Sequence, residues 1–490
     1  MPTNNRVEIR ELSSMEHVKI KRRVYGEHLT STEVFKKFIL PEIEDKIFQY
    51  RWVDLFCGEG NLILPILEVV PKEKRLQFFK KHIFCFDIQK EMVEKAIHNA
   101  EKYGIPPEIS RENIVQRDTI KNYPVFIFNS DLPVYHITNP PYLYKGYIVK
   151  NKEARKYLEY FKGVNEKYQD LYQLALINDL RHGVKNMVYI IPSNFLFGYS
   201  VSNQIRKDFL KYYTIKKAII FERQIFEYTG THVMICFFER KLYPVDEPIV
   251  FESVKINREA KKRVYTLDPK YNYRAGHEFE QFVEEYRALR PLKVSFYLML
   301  DEVVKNKGEI PITVVDVNEY DGKEYAKKTL YVNEQLYTKI KNNILFVRTL
   351  DTGSIDVRAG LYVIKEVFGV DGILVSKAPY RTHPIQIFFT PYLPAEIQLL
   401  LKDYFNTVLE YFRELTDSEF MTTYKYSESA YTRKYLGLIQ VKKLIETFPI
   451  LTLNSDSMTE LKELVKRRDA KGLIQFIQRV NKPKALISWR

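Results

Sequence analysis

The most explicit chemistry in the chain lies in Asn139-Pro140-Pro141-Tyr142. An amine on an aromatic ring, such as N6 of adenine, is a poor nucleophile because its lone pair is delocalised into the ring. Two acceptors aimed at the amine hydrogens draw that nitrogen toward tetrahedral geometry and stabilise the positive charge developing on it. The Asn139 side-chain oxygen and the Pro140 carbonyl are acceptors of this kind, and rigid prolines hold them in place. The Tyr142 ring offers a face for a planar base. Asn-Pro-Pro is also a turn signal, so its meaning rests on what stands upstream.

Upstream is Asp54-Leu55-Phe56-Cys57-Gly58-Glu59-Gly60. Gly58 and Gly60 permit positive φ and let a ligand approach the backbone. Asp87 follows at about the length of a βαβ unit, where a carboxylate suits the two hydroxyls of a ribose. Asp118 comes one strand later and is placed to accept from an adenine amine. Acidic residues at successive strand ends, beside a glycine turn, point to a nucleoside-bearing cofactor.

These residues need strands to carry them. The segments 52–56, 82–87, 113–118 and 134–138 read as strands, with a helix over about 90–103 that stops at Gly104 before Pro106 and Pro107. A helix is also expected over 61–70, with Pro65 tolerated in its first turn. An apolar helix over 170–183 and a strand over 187–191 continue the alternation. The segments 216–221 and 233–239 read as an antiparallel edge hairpin. The expected fold is α/β, a Rossmann-like and mostly parallel sheet with that hairpin at one edge.

Regular alternation breaks down over 241–268, where Pro244, Pro248 and Pro269 stand among charges. We place the domain boundary there, giving 1–245 and 246–490. The second half reads as mixed α+β. Helical stretches are expected over 277–307, 395–416 and 458–480, with short β segments over 344–349, 360–365 and 372–376.

Composition narrows the class. The 490 residues carry a formal charge of +14, which fits a polyanionic partner. No apolar run is long enough to cross a bilayer and no secretory signal is visible, so a cytoplasmic location is expected. Cys57, Cys85 and Cys236 lack the paired spacing of a zinc site and read as buried free thiols. No metal is expected.

Taken together, these motifs resemble the amino-group DNA methyltransferases that place cofactor motifs first, the catalytic tetrapeptide next and a target-recognition domain last. The resemblance covers about 25–240 and implies S-adenosyl-L-methionine (AdoMet) as cofactor and methylation of adenine N6. It implies cofactor contacts for Thr30, Asp54, Phe56, Gly58, Gly60, Asp87, Ile88, Asp118 and Asn139. Gly26-Glu27-His28-Leu29-Thr30-Ser31 resembles the family's first motif, with Ser31 in place of the usual Pro. Asp170-Leu171-Tyr172 and Ile191-Pro192-Ser193-Asn194-Phe195 resemble the later motifs that shape the target-base pocket. Ile225-Phe226 with Thr231-His232-Val233 resembles the last one. Phe226 would then stack on the extruded base opposite Tyr142, the alternative being a loop aromatic docked into the core.

The Lys- and Tyr-rich segment 143–167, with Lys145, is expected to track phosphate or to form a solvated helix. The basic segment 422–443, with Lys425, Arg433 and Lys434, is a candidate DNA-contacting surface in a C-terminal target-recognition domain. The expected partner is duplex DNA. A separately encoded restriction endonuclease is a candidate second partner, and a monomer is expected. Methyltransferases of RNA base amines or of protein glutamine share the tetrapeptide and remain open as alternatives, as does a non-catalytic DNA-binding relic.

Overall fold

A computed structural model describes residues 30–222, 232–257, 259–352, 358–380, 382–425 and 433–481. The chain forms two compact units, Met1–Ala275 and Gly276–Arg490.

The first unit is built on a nine-stranded sheet in the order β3-β2-β1-β4-β5-β7-β6-β8-β9. The strands are β1 Arg51–Asp54, β2 Ile83–Asp87, β3 Ile114–Gln116, β4 Val134–Thr138, β5 Asn186–Pro192, β6 Tyr213–Phe221, β7 Val233–Arg240, β8 Ile249–Ile256 and β9 Ala260–Leu267. The pairs from β3 through β5 are all parallel, whereas β7 runs antiparallel to both β5 and β6. The expected parallel sheet and the antiparallel β6–β7 pair are therefore present, but the pair is not at the edge, because β8 and β9 continue the sheet beyond it.

Burial explains the sequence pattern. Every residue of β2 and β4 is buried, as expected for parallel strands covered on both faces, and so these strands read as continuous apolar runs. The outer hairpin differs: Val250 and Val264 are more than half exposed while Phe251 and Tyr265 are buried. That alternation is the signature of a sheet with one wet face. This β8–β9 hairpin joins the sheet through β6, so the boundary expected near 245 falls inside the first unit, which continues to Ala275. The prolines and charges of 241–248 mark a surface turn between strands of one sheet.

Helices follow the expectations closely where periodicity is strong. Lys90–Glu101 and Leu171–His182 are α-helices. The second ends at Gly183 with φ 74°, where a side chain would be strained. Over 61–70 the expected helix is only a 3-10 turn, Leu64–Glu68, with Pro65 in its first turn.

The second unit is mixed α+β. One four-stranded sheet is formed by Lys293–Phe296, Ile385–Thr390, Leu345–Arg348 and Gly360–Val363. A second comprises Leu298–Met299, Gly372–Val375, Lys307–Tyr320 and Tyr325–Val332. The long helix Ala395–Thr416 has the bounds the sequence suggested, and Ser455–Lys466 and Ala470–Val480 follow it. The helical stretch expected over 277–307 is a correction. Only Glu278–Glu285 and Leu300–Lys305 are helical there, and Lys293–Phe296 is a strand. The first helix ends at Glu285, Pro291 bars a continuous helix through to 307, and the Val294, Phe296 and Leu298 alternation favours a strand.

Candidate active site

The sheet reverses its order between β1 and β4, and a crevice opens outside the carboxyl ends of such strands. Asp54 ends β1 and is 1% exposed. Its Oδ1 accepts from the Thr138 hydroxyl at 2.6 Å and from the Phe56 N–H at 3.0 Å. Its Oδ2 is buried with no hydrogen-bond partner. Burial pushes this carboxyl up to about 6, against the Thr138 hydrogen bond, which lowers it.

The next residue is clamped from both sides. The Leu55 N–H donates to His136 Nε2 at 3.2 Å, and its carbonyl accepts from the Thr119 hydroxyl at 2.9 Å. Because Nε2 accepts, the ring proton is assigned to Nδ1, which lies 2.5 Å from Asp179 Oδ2. The hydroxyls of Tyr189 and Tyr123 donate to the same carboxylate at 2.7 and 2.8 Å. His136 and Asp179 are fully enclosed. This buried network ties the Leu171–His182 helix to the end of β1.

The glycine turn follows, with Gly58 at φ 52° and Gly60 at φ 81°. The Gly58 N–H donates to Asp87 Oδ2 at 2.9 Å, and the Gln89 N–H to Oδ1 at 2.8 Å. One strand over, Asp118 Oδ1 accepts from the Lys121 N–H at 3.2 Å and Oδ2 from the Tyr160 hydroxyl at 2.8 Å.

At the end of β4, Asn139 Nδ2 donates to the Thr30 hydroxyl at 3.0 Å, and Asn139 Oδ1 accepts from the Tyr142 hydroxyl at 2.5 Å. The same hydroxyl lies 2.8 Å from the Ile190 carbonyl. It has one proton, so it serves one of these acceptors at a time. The Tyr142 ring is partly buried, edge-on to Tyr172 at 6.4 Å. The chain leaving the tetrapeptide is fixed by Asp170, whose Oδ1 accepts from the Leu143 N–H at 2.9 Å. Burial pushes the Asp170 carboxyl up to about 7.

A cleft opens beside the ends of these strands; Pro140, Tyr142 and Asp170 are not among its lining residues. Of the residues expected at the cofactor, Thr30, Asp54, Phe56, Gly58, Asp87, Ile88, Asp118 and Asn139 all line it. Gly60 shapes the turn instead: a Cβ there would come within 2.5 Å of Leu64 Cδ1. Pro141 joins Asn139 on the lining.

Sequence reasoning missed one wall. The segment expected to track phosphate forms the short helix Lys145–Lys150 and the 3-10 helix Lys152–Phe161. Ala154, Tyr157, Tyr160 and Phe161 are its buried side chains, the first three at a spacing of three, and both tyrosines line the cleft. Their spacing of three is the 3-10 repeat, which stacks side chains on one face. That repeat was the available signal. Lys145 folds back on its own segment, donating to the Glu166 carbonyl at 3.3 Å.

Phe226, Thr231 and 26–29 lie outside the described residues, as does the side chain of Lys425. In the second unit Arg433 is exposed, but Lys434 is 6% exposed and its ammonium donates to the Asp417 carbonyl at 3.0 Å. Successive strand residues face opposite ways, so Lys434 is a correction to the expected DNA-contacting set. It serves the C-terminal end of the Ala395–Thr416 helix, where a cation is favourable. The three cysteines are buried and free, and no metal-binding cluster occurs among the described residues. No helix among them is long and apolar enough to cross a membrane.

The model of the family described as N-6 DNA Methylase matches residues 15–324. No curated protein matches the chain. Among solved structures, the type IIL restriction-modification enzyme MmeI in complex with DNA is 13% identical, with a TM-score of 0.50 over 94% of this chain and 76% of MmeI. The modification subunit of a putative type I restriction enzyme from Vibrio vulnificus YJ016 is 17% identical, with a TM-score of 0.35 over 73% of this chain. The chain spans 64% of the length of that subunit.

Proposed function

Since this chain belongs to the N-6 DNA methylase family, we propose that it transfers a methyl group from AdoMet to N6 of an adenine in duplex DNA, as the modification activity of a restriction-modification system. The observation that carries this reading is that Asn139 and Pro141 share one cleft with Asp54, Asp87 and Asp118. A tetrapeptide suited to holding an amine therefore adjoins a site suited to a charged nucleoside.

The residues present fit AdoMet. The orphaned Asp54 Oδ2 is a buried acceptor awaiting a donor, which the ammonium of the cofactor's methionine part supplies. Asp87, oriented by two backbone N–H groups, would take the ribose hydroxyls. Asp118 would take the cofactor's adenine amine. When bound, AdoMet supplies an electrophilic methyl group on a sulfonium.

The rest of the chemistry belongs to the chain. The target adenine leaves the stack at a cost of a few kcal/mol, offset by stacking on Tyr142, with Phe226 as the second ring. Asn139 Oδ1 and the Pro140 carbonyl accept the two N6 hydrogens and stabilise positive charge at that nitrogen. For this, Asn139 Oδ1 exchanges the Tyr142 hydroxyl for the amine, and the Ile190 carbonyl at 2.8 Å keeps that hydroxyl satisfied. No strong base is required, because the nitrogen becomes acidic only once it carries charge.

The test is transfer of tritiated methyl from AdoMet to duplex DNA, RNA and protein in parallel. Label is expected in DNA adenine, and Asn139→Ala should cut the rate by about 10²–10³-fold. Label only in RNA or protein would replace DNA as the substrate. Absence of AdoMet binding in the native protein would support the non-catalytic relic.

A further inference from the structure

We propose that Tyr160 is a specificity-determining residue of the cofactor site, its hydroxyl holding Asp118 as a reader of the 6-amino group of the cofactor's purine; this rests on the AdoMet reading above. Asp118 stands at the end of the third strand, and its two oxygens are oriented by different donors. Oδ1 accepts the Lys121 N–H at 3.2 Å, a turn contact that any acidic residue there would make. Oδ2 accepts the Tyr160 hydroxyl at 2.8 Å, from a residue far along the chain. With both oxygens pinned, the carboxylate cannot rotate away from the cleft that Asp118 and Tyr160 line together.

A fixed carboxylate offers only acceptor lone pairs. It matches a purine that presents an amine at position 6 and opposes one that presents an oxo group. A freely rotating carboxylate would discriminate less, because it can turn its charge away from the oxo oxygen. Discrimination of this kind grows when the wrong ligand leaves a polar group of the site unpaired.

The element carrying Tyr160 is built to stay in place. Tyr157 and Tyr160 are buried, with ring centroids 5.8 Å apart. A Lys121–Glu159 ion pair at 2.6 Å ties the same 3-10 helix to the Asp118 turn from outside. That pair is about half exposed on both sides, so it contributes little. The hydroxyl of Tyr160 is the group that reaches the reading atom.

The experiment compares dissociation constants of S-adenosylhomocysteine and its 6-oxo analogue S-inosylhomocysteine by calorimetry, in the native full-length protein and three variants. The native protein should favour the adenosyl compound. Tyr160→Phe should reduce that preference by about tenfold, the scale of one hydrogen bond to a charged group. Its unfolding midpoint without ligand should stay close to native, since the ring remains. Glu159→Ala removes the outer ion pair and should leave the preference unchanged. Asp87→Ala should weaken both compounds equally, which tests the cofactor reading separately. An unchanged preference in Tyr160→Phe, or an equal loss in Glu159→Ala, overturns the role of the hydroxyl while leaving the cofactor assignment standing. Failure of the native protein to bind either compound overturns both.

Discussion

At the scale of single residues, two buried carboxylates, Asp54 on the cleft and Asp170 behind the tetrapeptide, should show their burial in titration. Burial holds Asp54 at about 6 and Asp170 at about 7, both above the ordinary 3.8. The native chain therefore binds more protons than the unfolded chain between about pH 4 and 7, so these two groups make stability fall as pH rises through that window. Ligand binding should respond in the opposite sense. A carboxylate that faces an ammonium must be ionised, so affinity for S-adenosylhomocysteine should rise with pH and level off above about pH 6 to 7. Asp54→Asn should bind weakly and lose the step near 6. Calorimetric titrations across pH decide this; a flat native profile would remove Asp54 from the ligand. The aspartates and Asn139 were legible because each stands at the end of an apolar run, where side chains reach the crevice. The orphaned oxygen of Asp54 was not, since it depends on Thr138 from a neighbouring strand.

At the scale of elements, strands and helices carry the site only when something fixes their ends. The buried carboxylate of Asp179 does so, receiving His136 and the hydroxyls of Tyr123 and Tyr189. Its replacement leaves several enclosed polar groups without an acceptor. Asp179→Ala should therefore destabilise the protein by about 3–5 kcal/mol in urea unfolding. Loss of less than about 1 kcal/mol would show that water or a rearranged His136 replaces the carboxylate. Sequence gave no sign of this tie, because a helix residue and a strand residue distant in the chain carry it. The 3-10 helix Lys152–Phe161 was obscured for another reason. Its lysines suggested a solvated, phosphate-facing surface, while the residues at every third position faced inward.

At the scale of the whole molecule, a net charge of +14 predicts that DNA affinity falls linearly with salt on logarithmic axes. Arg433 and Lys434 separate charge from structure. Arg433→Ala, at an exposed position, should lower the salt slope by about one if it meets a phosphate. Lys434→Ala should leave the slope unchanged and lower stability by about 1–3 kcal/mol, because its ammonium is enclosed at a helix end. Anisotropy titrations at several salt concentrations, with unfolding curves, distinguish the two. Equal salt effects would return Lys434 to the DNA-contacting surface. The unit boundary belongs to this scale too: a hairpin that begins beyond a proline-rich turn still completes the sheet, so composition located a surface turn rather than the end of a domain.

By itself the sequence determined the α/β class, the strands that lead to Asp54, Asp87, Asp118 and Asn139, and the chemistry those residue types permit. It could do so because fully buried parallel strands leave continuous apolar runs, and because a ligand held at strand ends leaves its residues at the ends of those runs. Tertiary structure alone decided that Tyr157 and Tyr160 close the cleft. It alone decided that Asp179 anchors the first strand through His136, and that Lys434 is inside while Arg433 is outside. Each of these depends on which face of an element meets another part of the chain, and that is fixed by packing between segments far apart in sequence.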